Sequence, residues 1–203
     1  MHISEGVLSG PVLISGGALA AAGTAIGLRK LNYDRIAHAG LLSAAFFVAS
    51  LIHVPVGPSS AHLILNGLVG LLLGWAAFPV ILVALVLQAI LFQFGGITAL
   101  GVNTIIMALP AVICYLVFSP FLNQKNATIM LLATFACGFL AVLLSAVILA
   151  LALIFTEENF FEVSAIVIAA HIPIMIIEGI ITAICVAFIK KVQPDILPGS
   201  SGK

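Results

Sequence analysis

The sequence predicts an all-α, polytopic membrane protein with seven transmembrane helices. Three observations carry this. Apolar residues make up 63% of the 203-residue chain and charged residues 7%, far outside the soluble range. Apolar stretches of bilayer-crossing length follow one another with short breaks. All seven basic residues also fall on one side of a seven-span chain. Arg29, Lys30 and Arg35 follow span one, Lys125 follows span five, and Lys190, Lys191 and Lys203 follow span seven. The positive-inside rule then places the C-terminus in the cytoplasm and the N-terminus outside. An even number of spans would split these residues between the two sides.

The first span covers about 11–28 and is rich in Gly and Ala. Small residues let helix backbones approach closely, so Ala18 and Ala22, one turn apart, read as a packing face. The second span covers about 36–54 and repeats the small-xxx-small spacing at Ala45 and Ala49. Pro55 to Ser60 form a turn-rich break. Spans three and four, about 61–76 and 79–94, are short for full crossings, which suits a tight hairpin that stops short of the far surface. Residues 95–103 are too polar and glycine-rich for a lipid-facing helix, yet carry no charge. Irregular backbone at that depth must be buried in protein or line a cavity. The fifth span, about 104–121, contains Pro110. The sixth runs over about 127–155, and an acidic loop with Glu157, Glu158 and Glu162 precedes the seventh, about 163–189. The expected organisation is one integral membrane domain, 1–203: an N-terminal segment 1–9, a bundle 10–191 and a cytoplasmic tail 192–203.

Composition excludes several functions. A formal net charge of zero gives no electrostatic case for nucleic acid. Cys114, Cys137 and Cys185 lie inside apolar runs without CxxC spacing and read as small buried hydrophobes. No Walker A signature is present, so this chain does not hydrolyse ATP by that route, and any energy source must come from a partner or an ion gradient.

The hexapeptide Met1-His2-Ile3-Ser4-Glu5-Gly6 carries the chemistry. No basic residue precedes the first apolar run, which argues against a cleaved signal peptide. Because His2 is large, Met1 is expected to be retained with a free α-amine. That amine, the His2 amide nitrogen and imidazole Nδ1 can close a five- and a six-membered chelate ring on one metal ion. Three nearly coplanar nitrogens suit Ni²⁺ or Cu²⁺. Taken alone, His2 reads as a polar residue at a frayed end. The topology alters that reading by placing His62 on the same side, at the outer start of span three, with Asn66 one turn further in on the same face. His62 is then the natural fourth nitrogen. A metal-bound imidazole also needs its other nitrogen satisfied. Asn103, Asn66, Ser60 and Glu5 are candidates for that outer shell, Asn103 first because its segment must be buried.

Three stretches together carry a resemblance: Met1-His2-Ile3 with Glu5-Gly6, the run Val56 to Gly67, and the run Phe94 to Thr104. In this order they resemble the CbiM/NikM family over nearly the whole chain. Members are the substrate-capturing components of energy-coupling-factor importers for cobalt or nickel. The resemblance implies Ni²⁺ or Co²⁺ as transported substrate, with no organic cofactor. It implies a metal held by the Met1 amine, the His2 amide and imidazole nitrogens, and His62. It further implies a transmembrane coupling subunit, a pair of cytoplasmic ATPase subunits, often a small accessory membrane protein, and a place in the cytoplasmic (inner) membrane of a prokaryote. Ser4 departs from the family's usual Pro or Met, at a position whose side chain is not needed for chelation.

The remaining polar residues have plainer readings. His53 is interfacial, His38 bonds a loop, and Trp75 is an anchor at the cytoplasmic side. His171 and Glu178 share a face of span seven. An intramembrane carboxylate is a functional candidate by default, but a hydrogen-bonded pair that fixes helix packing is the simpler account. The competing function is a self-sufficient ion-coupled carrier using Glu178 and His171. A metal-dependent hydrolase would need an H-E-x-x-H pair and an open coordination position, and the chain has no such pair.

Overall fold

The computed structural model describes residues 2–51, 53–56, 59–157 and 160–198, without the side chains of 53–56 and 59–61. Among them are seven α-helices: α1 (Gly10–Lys30), α2 (Ile36–Ala49), α3 (Asn66–Leu73), α4 (Ala77–Phe92), α5 (Leu100–Phe118), α6 (Ala127–Ile154) and α7 (Phe161–Val192). One antiparallel hairpin, β1 (His53–Val56) and β2 (Ser59–His62), lies between α2 and α3 and pairs His53 with His62.

Five stretches are long and apolar enough to cross a membrane: Gly10–Lys30, Asn66–Phe92, Leu100–Asn123, Ala127–Ile154 and Phe161–Val192. The second is not one straight crossing. Along α3, Gly70 lies against Ala111 and Gly74 against Tyr115, so α3 runs parallel to α5 and away from the N-terminal end of the bundle. Along α4, Phe78 lies against Gly23, Ser43 bonds the Val80 carbonyl and Gln88 bonds Ser50, so α4 returns toward that end. The reversal falls at Gly74 (φ 55°), a conformation that glycine adopts without steric cost. Trp75 sits in this turn, stacked on Phe78, with the Lys30 ammonium 5.8 Å from its ring centre. Spans three and four therefore do form a hairpin, but its turn lies level with the last turn of α1, at Gly27 and Lys30, rather than short of that end.

Several boundaries differ from those the sequence suggests. The second helix stops at Ala49, and the described residues of the turn-rich break belong to β1 and β2, with 57 and 58 outside the described residues. Span three starts at Asn66 rather than near 61, so His62 lies on β2 and not at a helix start. Asn66 consequently does not follow His62 along one helix face. Its side chain donates to the Met107 carbonyl (3.1 Å) and Ser145 Oγ (2.9 Å). Leu100 to Asn103 form the first turn of α5, leaving only 93–99 irregular. Periodicity cannot reveal these offsets, because β-strand and buried helix are equally apolar over four to eight residues.

The packing faces also differ. Ala18 and Ala22 are exposed, whereas α1 buries Gly16, Ala20, Gly23 and Gly27. Ala45 is likewise exposed and Ala49 half-buried, and α2 packs through Ala39, Ser43 and Phe46. Glycine rather than alanine sets the close approaches. A Cβ on Gly101 would come within 2.6 Å of the Gly17 Cα, and one on Gly138 within 2.5 Å of the Glu178 carbonyl oxygen. Cys114 and Cys137 are buried and Cys185 is half-buried, all three as free thiols.

At the end away from the N-terminus, Arg35 donates to the Asp195 and Ile196 carbonyls, and Lys190 to those of Leu122 and Gln124. Basic loops separated in sequence thus meet on one face. His38 lines a cavity of about 110 Å³ there, together with Arg35, Leu42 and Gln193.

Gly138→Ala is expected to destabilise the bundle by about 1–3 kcal/mol, the usual cost of overpacking. Gly40→Ala, where a Cβ meets open space, is expected to be neutral or to stabilise by up to about 1 kcal/mol. Thermal unfolding of the two variants in detergent checks the contrast.

Candidate metal centre

His2 does not sit at a frayed end. His2 and Ile3 are buried. Asn103, in the first turn of α5, grips the Ile3 main chain at both ends: Oδ1 accepts from Ile3 N (2.9 Å) and Nδ2 donates to Ile3 O (3.2 Å). This satisfies a buried donor and acceptor that would otherwise be costly. Gly95 (φ 79°) leaves the room. A Cβ there would lie 2.7 Å from Asn103 Nδ2 and 3.3 Å from the His2 Cβ. Gly96 (φ 100°) does the same for the Glu5 carboxylate, whose Oε1 accepts from the Thr98 amide at 3.4 Å.

His2 and His62 come together on this platform. Their ring centres are 4.6 Å apart with 28° between the planes, and His2 Nδ1 lies 3.0 Å from His62 Nε2. The neighbours fix the tautomers. Ser50 Oγ donates its one proton to the Phe47 carbonyl (2.7 Å), so it accepts from Gln88 Nε2 (2.6 Å). Gln88 therefore turns Oε1 toward His2 Nε2 at 2.7 Å, and Nε2 carries the His2 proton. On the other ring, His62 Nδ1 faces the Leu63 carbonyl at 2.7 Å and must donate to it. The facing nitrogens, His2 Nδ1 and His62 Nε2, both present lone pairs. A shared cation suits them. Two nitrogens each about 2.0–2.1 Å from a metal and at right angles lie about 2.8–3.0 Å apart. β2 lies outside the spanning helices, and burial holds the His62 imidazole well below its ordinary pKa, in the neutral form that a ligand needs.

The residues expected at this centre divide as follows. Met1, the expected source of the amine, and the Ser60 side chain lie outside the described residues. His2 and His62 are brought together. Asn103 is adjacent, but it anchors the Ile3 backbone rather than an imidazole. Glu5 is exposed and reaches Thr98, and Asn66 is committed to Met107 and Ser145. The bonds to the outer ring nitrogens come instead from Gln88 and the Leu63 carbonyl. Gln88, buried near the end of the apolar helix α4, was the available signal, since an uncharged amide there needs partners. His171 is buried in α7 with Nδ1 2.6 Å from the Val167 carbonyl, and Glu178 reaches the backbone of residues 64 and 65. Each thus finds a main-chain partner, and Glu178 does not bond His171, so the two are not the hydrogen-bonded pair expected from their shared face. The His53 side chain is not among those described. Among the described residues no three His, Cys, Asp or Glu side chains converge.

A helical bundle of this apolarity, with five stretches able to cross a membrane and two imidazoles facing each other at one end, has the form of a multi-pass membrane protein with a candidate metal site. The family described as "Cobalt uptake substrate-specific transmembrane region", CbiM, matches residues 2–196. The chain belongs to the CbiM family of cobalt and nickel transport components. It is 42% identical to a putative metal transport protein of Haemophilus influenzae over 199 residues, 97% of each chain. It is 32% identical to the cobalt transport protein CbiM of Clostridium tetani, over 94% of this chain and 85% of that one. A solved structure of a transition metal transporter superposes with a TM-score of 0.78 at 28% identity, covering 95% of this chain and 93% of the other. A truncated transition metal transporter gives 0.77 at 26%, covering 94% and 99%.

Metal affinity is expected to fall at least 10–100-fold in His62→Ala and about 10–100-fold in Gln88→Leu, which removes the acceptor on His2 Nε2. His171→Ala is expected to bind like the parent. Equilibrium dialysis of the three variants at one pH decides this, and a loss in His171→Ala alone would move the site elsewhere.

Proposed function

We propose that this chain is the high-affinity substrate-capturing subunit of an energy-coupling-factor importer for nickel or cobalt. The observation that supports it most directly is the 3.0 Å approach of His2 Nδ1 and His62 Nε2, with both outer nitrogens engaged as donors. The Met1 amine and the His2 amide nitrogen complete a near-planar four-nitrogen field. Such a field is saturated in the plane and holds cargo rather than activating a substrate. Planar Ni²⁺ in it gives a diamagnetic, yellow species.

The N-terminal end of the bundle faces outward in this reading. The basic face, with Arg35 and Lys190, lies on the cytoplasmic side of a prokaryotic inner membrane. There it meets a transmembrane coupling subunit and the ATPase subunits that supply energy, together with any small accessory membrane protein. The main-chain partners of Glu178 and His171 favour this over a self-sufficient carrier.

Inserting one alanine between Met1 and His2 moves the amine out of the chelate and is expected to abolish high-affinity Ni²⁺ binding, measured by equilibrium dialysis. Unchanged affinity would exclude the amine as a ligand. In liposomes, the purified chain is expected to import Ni²⁺ only with its ATPase partners and ATP; uptake driven by an ion gradient alone would overturn the importer assignment.

A further inference from the structure

Glu178 is fully buried near the middle of α7, and the chelate does not use it. Its Oε1 accepts two successive main-chain amides, Ile64 N at 2.5 Å and Leu65 N at 2.8 Å. Its Oε2 has no hydrogen-bond partner among the described residues, so these amides are the main polar support of a carboxylate inside the bundle. Such a group is costly to keep there. The two amides lie just ahead of α3, where Leu65 takes a left-handed conformation (φ 56°) that a branched side chain rarely adopts.

The Ile64 N–H belongs to the same peptide group as the Leu63 carbonyl. That group is planar and rigid. At one end it donates to Glu178, and at the other its oxygen accepts from His62 Nδ1 at 2.7 Å. A carboxylate drawing on the N–H polarises the peptide and strengthens the oxygen as an acceptor. A stronger acceptor on Nδ1–H fixes the ring and makes the opposite nitrogen, Nε2, a better donor. Metal-bound histidines commonly gain this from a carboxylate in direct contact.

We propose that Glu178 is a positioning residue for the metal centre: through the Leu63–Ile64 peptide group, its carboxylate sets the orientation and donor strength of His62. This rests on the reading of His62 as a ligand. It makes α7 part of the capture device, and any movement of α7 against α3 then bears directly on how tightly the ion is held.

The test uses the full-length purified chain, its E178Q, H62A and H62A/E178Q variants, and Ni²⁺ as probe. E178Q keeps the shape and an acceptor oxygen while removing the charge. It is expected to weaken Ni²⁺ binding about 10–100-fold and to shift the d–d absorption band to longer wavelength. In the H62A background it is expected to change neither, as coupled positions in a double-mutant cycle do. Thr182→Val, one turn further along the same face of α7, is expected to leave both unchanged. Equal losses from E178Q with and without His62, or an unmoved band, would overturn the relay and leave the ligand assignment standing. Equal Ni²⁺ affinity of the parent and H62A would instead overturn the ligand assignment, and the relay with it. Should E178Q not fold, the parent carries the test through NMR. The ¹⁵N-labelled Ile64 amide is expected downfield and to move further downfield on Ni²⁺ loading, and an unmoved resonance would exclude the relay.

Discussion

The two-point bond between Asn103 and the Ile3 main chain is the contact on which the site depends. A chain terminus is normally the least ordered part of a protein. Here residues 2 and 3 are inserted into the bundle, and their polar main chain is matched by an amide side chain from a neighbouring helix. Once Ile3 is held, His2 has one place to go: against Gln88 on one edge and His62 on the other. The glycines at 95 and 96 serve the same end, since a side chain at either would occupy the space of His2 or Glu5.

His62 reaches the same point from the opposite direction. The connection after β2 descends into the bundle, so that Asn66 begins α3 level with Met107, about 10 Å below the start of α5 at 1.5 Å per residue. Non-helical backbone at this depth needs internal partners. Among the described residues these include the His62 ring on the Leu63 carbonyl and the Glu178 carboxylate on the amides of 64 and 65. Gly67 and Gly70 then let the short helix seat against α6 and α5 at backbone distance. The candidate metal centre and the packing of the bundle therefore share the same bonds.

The sequence by itself determined the class of fold, because a bilayer imposes length and apolarity on every crossing segment. The outer helices α1, α6 and α7 fall within a few residues of where hydropathy ends. It also singled out His2 and His62, which the structure brings together, since an amine–amide–imidazole chelate is an expectation local to one dipeptide and His62 stood beside a polar break. Tertiary structure alone decided how these parts meet. Helix faces that are apolar all round carry no phase, so Ala18 and Ala22 were indistinguishable from the glycines that actually pack. The β1–β2 hairpin was hidden because four-residue strands lack a period of their own. The outer bonds of the imidazoles were hidden for a different reason. One comes from a main-chain carbonyl, which every residue possesses, and the other from Gln88, 86 positions away. Which donor meets which acceptor across such separations is set by the packing of whole helices, and no local pattern encodes it.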